Sequence, residues 1–263
     1  MKRLTVLLVL GCALVADVAR AQSTCQTAAP LNLPLEQSQI DTMASDTWGF
    51  WGQFELSRPA LIEISGSPCY VPGWARAELW SECDDGDPPG SIGGWETPSL
   101  EAGFFTSGQL SLPPGTYYVE LRTFCVVDFD TLFYGDFGID ATYMIDVDVL
   151  SSVNPRRRGV VPVAIFGSEQ LDLSMLNLAT LRLGPGQAAP AHDLSEAWAL
   201  NEHAQDLNGD GFMDLIVHFE AEGTGLDCGD ASAVLTAKLA DGSPLVGEDA
   251  IHTIGCGPRR LRN

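Results

Sequence analysis

The sequence predicts an all-β protein built as two β-sandwich domains, the C-terminal one Ig-like or related. Three observations carry this expectation. Short runs such as Ala60-Leu61-Ile62-Glu63-Ile64 alternate apolar and polar residues, the period that turns one face of a strand to a core. Turn-forming groups separate these runs: Arg58-Pro59, Pro113-Pro114-Gly115, Gly184-Pro185-Gly186 and Asp241-Gly242. The length of 263 residues suits two ordinary domains. Many short strands joined by turns lead to antiparallel sandwiches.

Residues 1–21 read as an export signal. Lys2 and Arg3 precede an apolar run from Leu4, and Ala19-Arg20-Ala21 supplies a small-x-small cleavage site, so the mature chain begins near Gln22. Val9-Leu10-Gly11-Cys12 offers an alternative, a lipoprotein anchored at Cys12, although the apolar run before it is short. No later stretch approaches the ~20 apolar residues of a membrane-spanning helix. The expected location is secreted, extracellular or periplasmic.

Residues 22–152 form the first expected domain. Gln53-Phe54-Glu55-Leu56 and Ala60–Ile64 are strands about a Ser57-Arg58-Pro59 turn, and Ala75 to Trp80 is another. A loop rich in Asp, Pro and Gly follows at 84–90. Gly108–Leu112 and Thr116–Leu121 flank Pro113-Pro114-Gly115 and read as a hairpin. Tyr143 to Leu150 reads as the last strand. Trp48, Trp51, Trp74, Trp80 and Trp95 fall in this half, either as sandwich core or as stacking surfaces for sugar rings. Asp128, Asp130, Asp136 and Asp140 form an acidic group that could hold a second Ca²⁺, although its spacing matches no recognised calcium loop.

Ser151-Ser152-Val153 is the expected joint, and residues 153–257 the second domain, with 258–263 a basic tail. Gly159–Gly167 and Thr180–Leu183 supply strands. Arg156, Arg157 and Arg158 are expected to be solvated or to contact the acidic first domain. Asp193 to Gln205 reads as a helix, Asp193 and Glu196 being spaced like a capping box. Leu215–Phe219 is a β-branched-rich strand, Ala233–Leu239 leads into the Asp241-Gly242 hairpin turn, and a strand runs into Cys256.

Between the expected helix and Leu215 lies Asp206-Leu207-Asn208-Gly209-Asp210-Gly211-Phe212-Met213-Asp214. Oxygen-bearing side chains at alternate positions suit Ca²⁺, which takes six to eight oxygens at about 2.3–2.6 Å. Asp206, Asn208 and Asp210 would bind through side chains, Phe212 through its carbonyl, and Asp214 would close the site. Gly211 would take the backbone angles that a Cβ resists. Mg²⁺ suits the spacing less well, since it prefers a rigid octahedron that keeps several waters. The bland reading is a solvated Asp/Gly turn. The loop departs from an EF-hand because Val217 stands where that motif has a bidentate Glu. It resembles instead the calcium loops of integrin-type and dockerin-like repeats. His192, beside Asp193, is placed to orient the loop by an outer hydrogen bond.

The formal charge of −21 excludes nucleic acid and anionic lipid as partners and favours cations. Of seven cysteines, Cys25, Cys69, Cys83, Cys125, Cys228 and Cys256 survive signal cleavage. An even number in an exported chain without a Cys-x-x-Cys pair points to disulfides rather than metal thiolates. Fifteen connectivities are open; Cys228–Cys256 and Cys69–Cys83 are the expected pairs within each domain.

Residues 35–150 resemble the bacterial pre-peptidase C-terminal domain. The order WGFWGQFEL, RPALIEISG, ARAELW, GQLSLPPGTYYVELRTF and YMIDVDVL carries the likeness, most distinctively at Leu112–Val119. The resemblance implies a jelly-roll-like sandwich associated with surface or substrate attachment and brings no catalytic residues. The second half, with NPRRRGVVPVAIFGS, DLNGDGFMDLIVHF and LTAKLADGSPLVGEDAI, resembles a β-rich module at the ends of exported bacterial proteins. That likeness implies Ca²⁺ on Asp206, Asn208, Asp210 and Asp214, with Asp193 nearby.

No Gly-x-Ser-x-Gly elbow, His-Glu-x-x-His or phosphate loop is present. The histidines are His192, His203, His218 and His252, with His218 read as a surface or edge residue. The expected function is a secreted, calcium-binding, non-catalytic structural or adhesive accessory protein, its partner an extracellular polysaccharide or cell-surface protein. The alternatives are a carbohydrate-binding or substrate-targeting module and an extracellular hydrolase.

Overall fold

The computed structural model describes residues 25–35, 49–67, 73–83, 91–96, 104–125, 136–194 and 203–256. These form two compact units that divide between Ala141 and Thr142. The fold is all-β, as the alternating runs predict.

In the first unit one sheet has the order β1 (Ala29–Pro30), β2 (Gly49–Leu56), β8 (Gly115–Cys125), β4 (Gly73–Trp80), β5 (Ser91–Glu96). A second sheet places β3 (Ala60–Ser67) between β9 (Asp136–Met144) and β6 (Phe105–Thr106), with β7 (Leu110–Leu112) also on β3. Strand β3 shows the period of two directly: Ala60, Ile62 and Ile64 are fully buried while the residues between them are not. Phe54, Leu56, Ala77, Leu79, Val119 and Leu121 are buried on one face of the first sheet. On its other face, Arg76 opposes Arg122 and Glu78 opposes Glu120 across β4 and β8. Those like-charge pairs are offset by ion pairs along each strand, Arg76 with Glu78 and Arg122 with Glu120.

One expected local pairing proves to be something else. The strands on either side of Pro113-Pro114-Gly115 do not form a hairpin. Strand β7 pairs with β3, whereas β8 pairs with β2 and β4, so the turn carries the chain from one sheet to the other. The Tyr117 hydroxyl donates to the Pro113 carbonyl at 2.7 Å and holds this corner; burial pushes the phenol pKa up. The Ser57-Arg58-Pro59 turn likewise leads from the sheet of β2 to that of β3. A turn-forming residue specifies reversal but not the strand that the chain meets afterwards.

Trp51 and Trp80 stack at 4.7 Å and are buried with Cys25, against the disulfide Cys25–Cys83. The expected Cys69–Cys83 pair is therefore corrected. Cys83 closes instead on the N-terminal segment, a pairing set by the position of Cys25 beside Trp51 and Trp80 rather than by closeness in sequence. Cys69 lies outside the described residues. These two tryptophans are core, not a sugar platform, and Trp95 is half-buried. Trp48, the side chain of Trp74, the loop 84–90, Asp128 and Asp130 also lie outside the described residues; Asp140 is exposed.

In the second unit one sheet has the order β10 (Val147–Val149), β11 (Val160–Ile165), β14 (Asp214–Glu220), β13 (Ala204–Gln205). The other has β12 (Arg182–Leu183), β15 (Ser232–Lys238), β16 (Pro244–Ala250), with Tyr143 and Met144 of β9 parallel to β16. The single strand expected over Tyr143–Leu150 thus divides, and β10 pairs with β11. The division between Ala141 and Thr142 leaves β10 in the second unit. Val161, Val163, Ile165, Leu215, Val217, Phe219, Leu235 and Leu245 join one hydrophobic cluster, so these two sheets share a core. The Asp241-Gly242 turn closes the β15–β16 hairpin as expected, with Gly242 at φ 93°. The segment after Ala250 is not a strand; it reaches Cys256, which is bonded to Cys228 as expected. Arg158 lies 3.6 Å from Glu222, both largely exposed. No helix among the described residues is long and apolar enough to cross a membrane.

Replacing Cys25 and Cys83 together by serine removes a cross-link spanning 58 residues. The chain-entropy argument sets the loss of stability at roughly 4 kcal/mol. Urea unfolding should read a loss of that order; equal stability would mean that the Trp51–Trp80 cluster holds the N-terminal segment unaided.

Candidate functional site

The β13–β14 hairpin and the loop it carries bring together most of the chemistry-bearing residues of the second unit. Strand β14 lies between β11 on one side and β13 on the other. Leu215, Val217 and Phe219 point into the core, which leaves Ile216 and His218 on the opposite face. His218 is thus not at a sheet edge. Its cross-strand partner is Pro162 of β11.

The 206–214 loop is folded on its own side chains. Asp206 accepts from Gly209 N–H through Oδ1 at 2.6 Å and from Gly211 N–H through Oδ2 at 3.1 Å. Asn208 Oδ1 accepts from Asp210 N–H, and Asp210 Oδ1 from Phe212 N–H. Asn208 Nδ2 donates to Asp210 Oδ2 at 2.9 Å. Gly211 has φ 92°, a value a side chain resists. Leu207, Phe212 and Met213 are exposed around this turn.

Asp214 behaves differently. It is fully buried, the first residue of β14, and its two oxygens accept from Leu207 N–H at 2.7 Å and Gly167 N–H at 3.0 Å. One bond holds the start of the loop to its end; the other ties that end to the chain leaving β11. Gly167 is required here because a Cβ would collide with the Met213 carbonyl. Asp214, expected to close an ion site, is therefore also the loop's anchor. Asp206, Asp210 and Asp214 do not gather as a cluster.

The helix expected over Asp193–Gln205 is overturned where it is described, since Ala204–Gln205 is strand β13, paired with Leu215 and Asp214. Residues 195–202 lie outside the described residues. On the same side of β14, Pro190 bridges to Phe219 and Ala191 N–H donates to the His218 carbonyl at 2.7 Å. At the same edge Ile216 N–H donates to the His203 carbonyl at 2.8 Å. Residues 190–192 and 203–205 thus meet over the outward face of β14.

Among the described residues, the His, Cys, Asp or Glu side chains whose ligating atoms gather within 4.8 Å are His192, His203 and His218. His192 Nε2 lies 3.2 Å from His203 Nε2, so His192 is turned to that ring rather than to the loop it was expected to orient. His192 is exposed; the other two are half-buried. His203 Nδ1 is 3.2 Å from the Ile216 carbonyl. A carbonyl only accepts, so Nδ1 carries the proton and the neutral ring keeps its lone pair on Nε2. Burial, and then the charges of His192 and His203, hold the His218 pKa below its ordinary 6.5. Neutral imidazole is the form that ligates metals.

No protein-family model, curated protein or solved structure matches the chain. Sequence reasoning missed the histidine group because the three stand more than ten residues apart and in no ligand motif. Only the register of residues 190–192 and 203–205 on β14 brings them together.

Asp214→Ala should leave the Leu207 and Gly167 N–H groups unpartnered in a buried place, lowering stability by about 2–4 kcal/mol. Asp214→Asn retains one acceptor but turns an NH₂ toward the second donor, so its loss should be smaller. Denaturant unfolding orders the two variants; faster amide exchange at Leu207 and Gly167 locates the effect.

Proposed function

We propose that the chain is an extracellular, non-catalytic structural or adhesive accessory protein whose 206–214 loop binds Ca²⁺. The observation that carries this reading is the fold of the loop. Asp206, Asn208 and Asp210 are each curled back onto the loop's own N–H groups, while Asp214 fixes both ends from beneath. Carboxylate, amide and backbone carbonyl oxygens are the donors a hard cation takes. Asp206, Asn208, Asp210 and the Phe212 carbonyl are the proposed ligands, with Asp214 closing the loop. The ion would offset the repulsion between Asp206 and Asp210 and stiffen the turn entering β14.

Two disulfides support an oxidising, non-cytoplasmic location. The first unit is read as a pre-peptidase-C-terminal-like, jelly-roll-like sandwich on the strength of its Leu112–Val119 run, and the second as Ig-like or related. Leu207, Phe212 and Met213, exposed beside the loop, favour attachment to a cell-surface protein or polymer through this end. Recognition of sugars through a tryptophan row is the weaker reading, because Trp51 and Trp80 are buried.

For a site with Kd near ~10 µM, ~1 mM Ca²⁺ adds ~2.7 kcal/mol of stability by linkage. Calorimetry with and without chelator should read this as a higher melting temperature in Ca²⁺. Asp210→Ala should melt at one temperature in both conditions. A wild-type chain that ignores the chelator ends the calcium reading.

A further inference from the structure

We infer that His192, His203 and His218 form a second metal site, separate from the 206–214 loop, which takes a divalent transition ion of the zinc class in a four-coordinate arrangement with water in the fourth place. The donor chemistry excludes calcium here. Three imidazole nitrogens suit Zn²⁺, Cu²⁺ or Ni²⁺, whereas Ca²⁺ and Mg²⁺ want oxygen.

The distances favour a shared ion. Two nitrogens bound to tetrahedral zinc at ~2.0–2.1 Å lie ~3.3–3.4 Å apart. His192 Nε2 and His203 Nε2 stand at 3.2 Å, and the ligating atom of His218 is within 4.8 Å of both. Small side-chain rotations would bring the third nitrogen to the same spacing. The backbone also sets the ligand that matters most. The Ile216 carbonyl takes the Nδ1 proton of His203, which fixes ring orientation and leaves Nε2 as the donor atom, the outer contact that metal-bound histidines commonly have.

Without metal, His203 Nε2 is an acceptor, so the proton in the short contact belongs to His192 Nε2. Binding requires that proton to leave. His192 is exposed, and its neutral ring can instead carry a proton on Nδ1, so the exchange passes through solvent with no other reactant. Beside His192 lies a cavity of about 310 Å³ walled by Leu178, Ala179, Pro190 and Leu194. Its size suits a water and a small ligand rather than a polymer. Three protein ligands next to a cavity make an open site rather than a closed structural one.

The experiment is metal titration of the purified full-length chain, stripped by chelator and kept in saturating Ca²⁺ so that the acidic loop does not contribute. Zn²⁺ is followed by calorimetry and Co²⁺ by its visible spectrum. The expected result is one Zn²⁺ per chain, and a Co²⁺ form with the intense absorption of four-coordinate cobalt that Zn²⁺ displaces. His203→Gln and His192→Gln should each weaken binding by at least the ~100-fold that loss of a mere supporting partner can cost. His252→Ala should not change it. His192 is exposed, so its variant keeps the result readable if replacement at 203 disturbs folding. Weak octahedral cobalt absorption, or binding unchanged in both glutamine variants, overturns the proposal. Asp210→Ala should leave zinc binding intact, which separates this site from the calcium reading.

Discussion

Asp214 is the constraint on which the 206–214 loop and the start of β14 depend. A carboxylate with no exposed surface is tolerated only when its oxygens are satisfied, and here backbone N–H groups from two different segments satisfy them. Leu207 comes from the start of the loop and Gly167 from the chain leaving β11. One side chain therefore fixes where the loop begins, where it ends, and how β14 enters the sheet beside β11. Gly167 completes the arrangement by omission, since a side chain there would push Met213 away.

That anchoring separates two kinds of donor that lie close together in the chain. The loop curls its oxygen atoms back on itself at one end of β14. The histidines gather further along the same strand, on the face turned away from the core. Alternation along β14 makes this possible: Leu215, Val217 and Phe219 fill the hydrophobic cluster, so His218 must face outward. The edge opposite β11 is then shared by two short pieces of chain, residues 190–191, followed by His192, and β13, preceded by His203. Oxygen donors thus gather in the loop and nitrogen donors on the outward face of β14.

The first unit shows the same dependence of local chemistry on tertiary placement. Pro113-Pro114-Gly115 has the residues of a tight reversal, yet it joins strands of different sheets. A hairpin would need β7 and β8 to pair, but β8 is already held on both edges by β2 and β4. Tyr117 then closes the corner with a hydrogen bond that the sequence pattern alone does not indicate. The Cys25–Cys83 disulfide follows the same logic, since its partners are chosen by the Trp51–Trp80 cluster on which the N-terminal segment lies.

What the sequence determined by itself was the all-β class, the course of strands such as β3, β14 and β15, the Asp241-Gly242 hairpin and the outline of the acidic loop. These depend on alternation and turn chemistry, which act over a few residues. Long-range pairing was decided elsewhere. The partner of Cys83, the allocation of β10 to the second unit, the strand at Ala204–Gln205 in place of a helix, and the meeting of His192, His203 and His218 all depend on which edges are free once the sheets have formed. Two residues at a strand edge have little local signal, and imidazoles far apart in sequence have none. Register on β14 supplied the contact, because backbone hydrogen bonds at Ala191 and His203 place their neighbouring side chains within reach of one another.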